Sequence, residues 1–202
     1  KRKAEQFHRL VVSEEYRHAQ RIADAWCAAF VWLKRPNMSA EPPTSDTLHR
    51  LRVDGNALSE PQGREVECLA SQYQFFHWQL AFPEVFAAGG FDLVLGNPPW
   101  DTLSPDAKEF FAGYNPEVRF RDEKGQKALI AELLAEREIK QKWEQYRREL
   151  FGLVHFLKES GRYVLYAEGN LGKGDFNIYR MFVELALRSV RQGGRCAQLV
   201  PE

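Results

Sequence analysis

Phe91-Asp92-Leu93-Val94-Leu95-Gly96-Asn97-Pro98-Pro99-Trp100 is the stretch on which the reading of this chain turns. Phe91, Leu93, Val94 and Leu95 form a short, nearly continuous apolar run, the pattern of a strand buried on both faces in a parallel sheet. The run stops abruptly. Gly96 permits unusual dihedrals, Pro98 and Pro99 lack the backbone donors a ladder needs, and Pro98 pushes Asn97 towards an extended conformation. An amide, two carbonyls and an indole are thereby expected together at the carboxyl end of a strand, the edge where open α/β sheets bind ligands. A Gly-Asn-Pro-Pro turn is also an ordinary way to end a strand.

An amine conjugated into an aromatic ring is a poor nucleophile until acceptors take its two hydrogens and draw the nitrogen towards a pyramidal shape. The Asn97 side-chain oxygen and the Pro98 carbonyl are two such acceptors, and Trp100 can stack on the ring that carries the amine, a contact worth roughly 1–3 kcal/mol per base in single-strand binders. Asn-Pro-Pro-Trp after a hydrophobic strand resembles the catalytic motif of the amino-methyltransferases, and of the DNA adenine-N6 methyltransferases in particular, where the pattern is Asn/Asp/Ser-Pro-Pro-aromatic. Upstream, His77-Trp78-Gln79-Leu80-Ala81-Phe82-Pro83-Glu84-Val85-Phe86, followed by Gly89-Gly90, resembles the approach to this motif in large methyltransferases of bacterial restriction-modification and phage-defence systems. Downstream, Asn177-Ile178-Tyr179 opens an amphipathic stretch ending in Gly193-Gly194 and a short apolar run to Pro201, similar to the segment that follows the motif in the same family.

The rest of the chain frames these stretches. Residues 1 to about 34 carry apolar residues at three- and four-residue spacing (Ile22, Trp26, Ala29, Phe30, Leu33), which predicts one helix. From Pro36 the composition turns to Pro, Asn, Ser and Thr, a loop. A short helix is expected from Ser45 to Leu51, capped by Ser45 or Asp46, then a turn at Pro61-Gln62-Gly63 and a helix from Arg64 to Gln74. Phe75, Phe76, His77 and Trp78 read as packing, through the area aromatic residues bury.

Beyond the motif, Ser104 is expected to cap a helix from Pro105 to about Phe111. Residues 115–122 read as irregular and Gln126 to Leu150 as one long charged helix. Tyr163 to Tyr166 reads as a short strand or part of a mobile loop. The helix from Asn177 is expected to run to about Arg191, to stop at Gly193-Gly194, and to return as a strand over Cys196 to Val200, closing a parallel crossover.

The 202 residues, 44% hydrophobic and 28% charged with a net charge of zero, suit one globular domain with a real core. Neutrality argues against a globally basic nucleic-acid binder, although a local basic face fits inside a balanced total. Cys27, Cys68 and Cys196 form no disulfide framework or CxxC pair, which makes a reducing cytoplasm the default. His8 and His18 lack a ligand spacing, so no metal is expected. No apolar run approaches membrane-spanning length, so no membrane contact is expected.

These readings combine into an α/β fold: a partial Rossmann-like methyltransferase sheet, with a mainly helical segment over 1–74, the C-terminal part of a catalytic domain over 75–202, and a helical insertion at about 115–160. The resemblance implies transfer of a methyl group from S-adenosylmethionine to the N6 amine of an adenine flipped out of double-stranded DNA, in restriction-modification or phage defence. It implies catalytic Asn97, Pro98, Pro99 and Trp100, with Asn97 also bordering the cofactor. Asn177 and Tyr179 are candidates to line the substrate, Asn177 alternatively capping its helix. Arg119 and Arg121, with Lys124 and Lys127, and a second basic group of Lys140, Lys142, Arg147 and Arg148 are candidates to contact DNA phosphates beside the flipped base.

The family's donor loop, Asp-Pro-x-x-Gly-x-Gly after a strand, does not precede Asn97, and Gly169-Asn170-Leu171-Gly172-Lys173-Gly174 reads as a loop. The chain is therefore expected to be inactive alone and completed by the N- and C-terminal parts of a larger protein. The same tetrapeptide serves RNA and protein-glutamine amino-methyltransferases, and a non-catalytic nucleic-acid-binding fragment of a defence complex is the alternative of a different class.

Overall fold

The structure, a computed structural model, describes residues 2–33, 39–167 and 177–201. Polar caps set where several of its helices begin. In place of one N-terminal helix there are two, α1 (Arg2–Val11) and α2 (Glu14–Val31), because the Ser13 hydroxyl accepts the Tyr16 amide and Glu14 and Glu15 favour a new helix N-terminus. Thr44, rather than Ser45 or Asp46, caps α3 (Ser45–Val53). Pro61-Gln62-Gly63 is no turn but the opening of α4 (Glu60–Tyr73): Ser59 and Gln62 form a reciprocal capping box, and proline is well suited to a first helical turn. Ala25, Ala28, Val31 and Trp32 pack there with Leu51, Leu58, Val66 and Leu69 as the first core.

Two short helices, α5 (Trp78–Ala81) and α6 (Pro83–Ala87), lead into the sheet. Trp78, Phe82 and Phe86 meet Phe91 edge-on, with centroids 6.0, 5.5 and 5.7 Å from its ring, so this aromatic cluster packs against the start of the motif strand. That strand, β1 (Phe91–Gly96), pairs in parallel with β2 (Val190–Gln198), from Leu93 opposite Arg195 to Gly96 opposite Gln198. Among the described residues the sheet has two strands. Among the described residues no layer covers the side of β1 that carries Leu93 and Leu95, so the strand is not buried on both faces as its apolar run suggests: Leu93 is 51% and Leu95 67% exposed.

The Gly-Gly pair is placed differently from expectation. Helix α11 (Ile178–Ser189) gives way directly to β2, and Gly193-Gly194 lies inside that strand. The register jumps there: Phe91 faces Val190 but Leu93 already faces Arg195, so the glycines form a bulge rather than a helix stop. Gly193 has a φ of 79°, and a Cβ on Gly194 would lie 2.9 Å from the Asp92 carbonyl oxygen. Arg191 closes the same bend with an ion pair to Asp92 at 2.6 Å.

Between the strands, α7 (Ala107–Ala112) is capped by Asp106 and not by Ser104, and a 3-10 turn (Pro116–Arg119) follows, capped by Asn115. The long charged helix is two, α8 (Glu123–Ala135) and α9 (Arg137–Glu159), parted at Glu136, which is extended. Phe111, Ala112, Val118 and Ile139 make a second core. α9 also reaches back to the first one: Phe156 packs there, the Tyr73 hydroxyl donates to the Glu149 carbonyl at 3.2 Å, and Gly152 lies against Val31 and Tyr73. Residues 164–167 form a helical turn, α10 (Val164–Ala167), instead of a strand, and the Leu165 amide donates to the buried Glu184 carboxylate of α11. The expected glycine-dense loop at 169–174, and residues 34–38 of the expected proline-rich loop, lie outside the described residues.

Candidate active site

β1 ends at Gly96 because Pro98 and Pro99 cannot continue the ladder, and the chain turns out beyond the sheet. The exits of the two strands are tied together: the Leu199 amide donates to the Gly96 carbonyl at 3.0 Å, and the Trp100 indole N–H donates to the Leu199 carbonyl at 3.4 Å. Beside this exit lies a cavity of about 270 Å³ whose walls include Asn97, Pro98 and Pro99, with Phe91 and Val94 of β1, Phe182 and Leu185 of α11, and Gln198 of β2. Asn97 is exposed and Pro98 buried. Among the described residues neither the Asn97 amide nor the Pro98 carbonyl is engaged in a hydrogen bond, so both acceptors are free. Trp100 stands next to the cavity rather than in its wall, tethered by its nitrogen with 55% of its surface open.

Asn177 and Tyr179, some 80 residues from the motif in sequence, are brought to its trailing end. Thr102 and Asn177 form an antiparallel bridge, and the Ile178 amide donates to the Asp101 carbonyl at 3.0 Å. Asn177 occupies the cap position of α11, yet its side chain makes no capping hydrogen bond. Tyr179 accepts a 3.4 Å hydrogen bond from Arg180. Arg119 and Arg121 are held elsewhere, Arg119 against Glu109 at 2.6 Å and Arg121 against Glu117, and among the described residues no hydrogen bond or ion pair joins either to residues 97–102. Lys127 and Lys142 are likewise paired, with Glu123 and Glu138.

Sequence reasoning missed Gln198, whose side-chain amide lies over Gly96 and faces the cavity beside Asn97. Its signal is the parallel pairing itself, which sets the last residue of β2 next to the last of β1. It missed Phe182 and Leu185 as walls for the same reason: as residues of an amphipathic helix they read as core.

The described residues do not make a complete site for a nucleotide-like methyl donor. A nucleotide-like methyl donor wants a glycine-rich turn between strand and helix and an acid at the end of a neighbouring strand, whereas β2 leaves the sheet through Gln198, Leu199, Val200 and Pro201. No group of three or more His, Cys, Asp or Glu is placed to hold a metal ion, and no helix is long and apolar enough to cross a membrane, among the described residues.

No curated protein and no solved structure matches the chain. One protein family does, over residues 27–148, which is more than half of the 202. The matched span begins in α2, takes in the motif strand with Asn97 to Trp100, and ends within α9. With the polar exit of the motif strand inside a match that covers more than half of the chain, the protein belongs to the Eco57I restriction-modification methylases.

Proposed function

We propose that the protein is part of a site-specific DNA methyltransferase that moves a methyl group from S-adenosylmethionine to the exocyclic N6 amine of a flipped adenine, in restriction-modification or phage defence. The observation that carries this reading is the pair of free acceptors, Asn97 and the Pro98 carbonyl, at the lip of a cavity on the carboxyl edge of β1. A flipped base enters edge-on, and its amine gives one hydrogen to the Asn97 oxygen and the other to the Pro98 carbonyl. The nitrogen lone pair is thereby released from the ring. Trp100, fixed at its nitrogen by Leu199, offers the base a stacking face. Gln198, which shares the cavity wall with Asn97, holds the base or the Asn97 amide in plane. Asn177, bridged to Thr102, and its neighbour Tyr179 are the candidates to meet the substrate from the trailing side of the motif.

Catalysis in this scheme is positioning and hydrogen-bond electrostatics. The donor's cradle belongs to a segment outside the described residues, with Asn97 at the boundary between donor and acceptor. The exposed Leu93 and Leu95 of β1 give that segment an apolar surface to pack on. Arg119 and Arg121 are peripheral candidates for DNA phosphates, which would have to displace Glu109 and Glu117.

The test is transfer of labelled methyl from S-adenosylmethionine to DNA by the full-length protein. Asn97→Ala is expected to lower the rate by at least about 10²-fold, the usual loss for one preorganised donor or acceptor at a reacting centre, with an unchanged melting temperature. Trp100→Ala is expected to lower turnover more than donor binding. A wild-type rate in Asn97→Ala would overturn the assignment.

A further inference from the structure

Apart from the cavity at Asn97, a groove of about 610 Å³ lies next to the motif's trailing loop. Leu103 and Pro105, a few residues beyond Trp100, form one wall. The other is a face of α9 on which Glu144, Arg147, Arg148 and Phe151 recur at three- and four-residue spacing. Both walls are fixed. The Tyr146 hydroxyl of α9 accepts the Asp106 amide of the loop at 3.4 Å, and the His155 ring meets the Phe30 carbonyl at 3.0 Å on the side of α2.

The arginines of the groove differ from four of the other basic residues around the motif. Arg119, Arg121, Lys127 and Lys142 are each matched to a carboxylate. Among the described residues the guanidinium of Arg147 has no such partner, and Arg148 gives only its Nε, to the Glu144 carbonyl at 3.2 Å. The fork of Arg148 that suits phosphate is left open. Phe151 lies between them, 72% exposed, an apolar ring that a protein leaves in water at a cost unless something covers it. One carboxylate, that of Glu144, also faces the groove, so the pair of arginines outweighs it by one charge.

We infer that this groove is a phosphate track, in which Arg147 and Arg148 hold the DNA backbone flanking the base presented to Asn97 and Phe151 covers a sugar or an unstacked base. The inference rests on the methyltransferase reading for its ligand, and it moves the main electrostatic footprint from Arg119 and Arg121 to α9. Sequence-independent affinity for duplex DNA is dominated by such contacts, and each neutralised phosphate contributes about 0.9 to the slope of log K against log salt.

The experiment measures binding of the full-length protein to a random-sequence duplex oligonucleotide by fluorescence anisotropy over a salt series, with melting temperature as the check on folding. R147Q/R148Q is expected to reduce the slope by about two. F151A is expected to weaken binding with the slope kept, and R119Q/R121Q to change the slope by less than R147Q/R148Q does. An unchanged slope in folded R147Q/R148Q, a larger loss in R119Q/R121Q, or a wild-type protein without salt-dependent DNA affinity would each overturn the track. The methyltransferase reading fails separately: it falls if the wild-type protein transfers no methyl group to DNA while R147Q/R148Q still loses slope, and it stands if methyl transfer is found while the slope of R147Q/R148Q is unchanged.

Discussion

Cys27 and Tyr73 sit where the first core meets α9 and the Arg162 region, and their protonation is coupled to that packing. Burial pushes the Cys27 thiol up from 9.0 to about 12, against the pull of Arg162 and with a further push from Asp24. Burial likewise takes the Tyr73 phenol from 10.0 to about 12, and Glu149 adds to the effect. For an acid whose folded pKa is raised, the unfolded chain releases the proton first, so the stabilisation is complete below the unfolded pKa and is lost as pH rises through the folded one. Melting temperature is therefore expected to fall from about pH 9 towards pH 12, and the double variant Cys27→Ala, Tyr73→Phe to show a flatter decline. The same slope in both proteins would contradict this.

Glu184 is the other residue whose environment sets its role. It is fully buried, receives the Leu165 amide at 3.1 Å, and pairs with Arg188 at 2.8 Å, which pins α10 to α11. Because the Arg188 partner is half exposed, Glu184→Ala is expected to cost about 2 kcal/mol, in the range of hydrogen bonds to charged groups and short of a fully buried pair. A loss under about 0.5 kcal/mol by denaturant titration, the scale of an ordinary surface substitution, would mean the contact is incidental.

At the scale of elements, the bulge in β2 decides how the motif strand is held. A side chain at Gly90, whose φ is 123°, would meet the Ser189 carbonyl oxygen at 2.5 Å, and one at Gly194 the Asp92 carbonyl oxygen at 2.9 Å. Gly194→Val is expected to separate the strands at Leu93 and Arg195 and to lower the melting temperature by several degrees, as a loss of about 1–3 kcal/mol from overpacking would. A melting temperature equal to wild type would show that the bulge tolerates a side chain.

Element types were largely legible in the sequence, and boundaries were not, for identifiable reasons. Thr44, Ser45 and Asp46 are three adjacent good caps, as are Ser104 and Asp106, and only the backbone path selects one. Ala135, Glu136 and Arg137 all favour helix, so nothing local announces the break between α8 and α9. Gly193-Gly194 reads equally as a helix stop or a bulge until the partner strand is known. Asn97 was legible because its neighbours force it out of the sheet, whereas Gln198 and the α9 groove depend on which distant segments meet.

For the whole molecule, two helical cores joined by α9 flank a small parallel sheet that carries the motif at its carboxyl edge. Two strands with Leu93 and Leu95 open to one side are marginal by themselves. In the proposed enzyme they become the seam at which the donor-binding segment docks, placing the methyl donor opposite Asn97. The account stands on what that amide does to an amine. Nucleosides from DNA treated with the full-length protein and S-adenosylmethionine, analysed by mass, test it most directly: N6-methyladenine is expected with the wild type and none above background with Asn97→Ala. Equal amounts from both proteins, or methylation found only on RNA or protein, would contradict it.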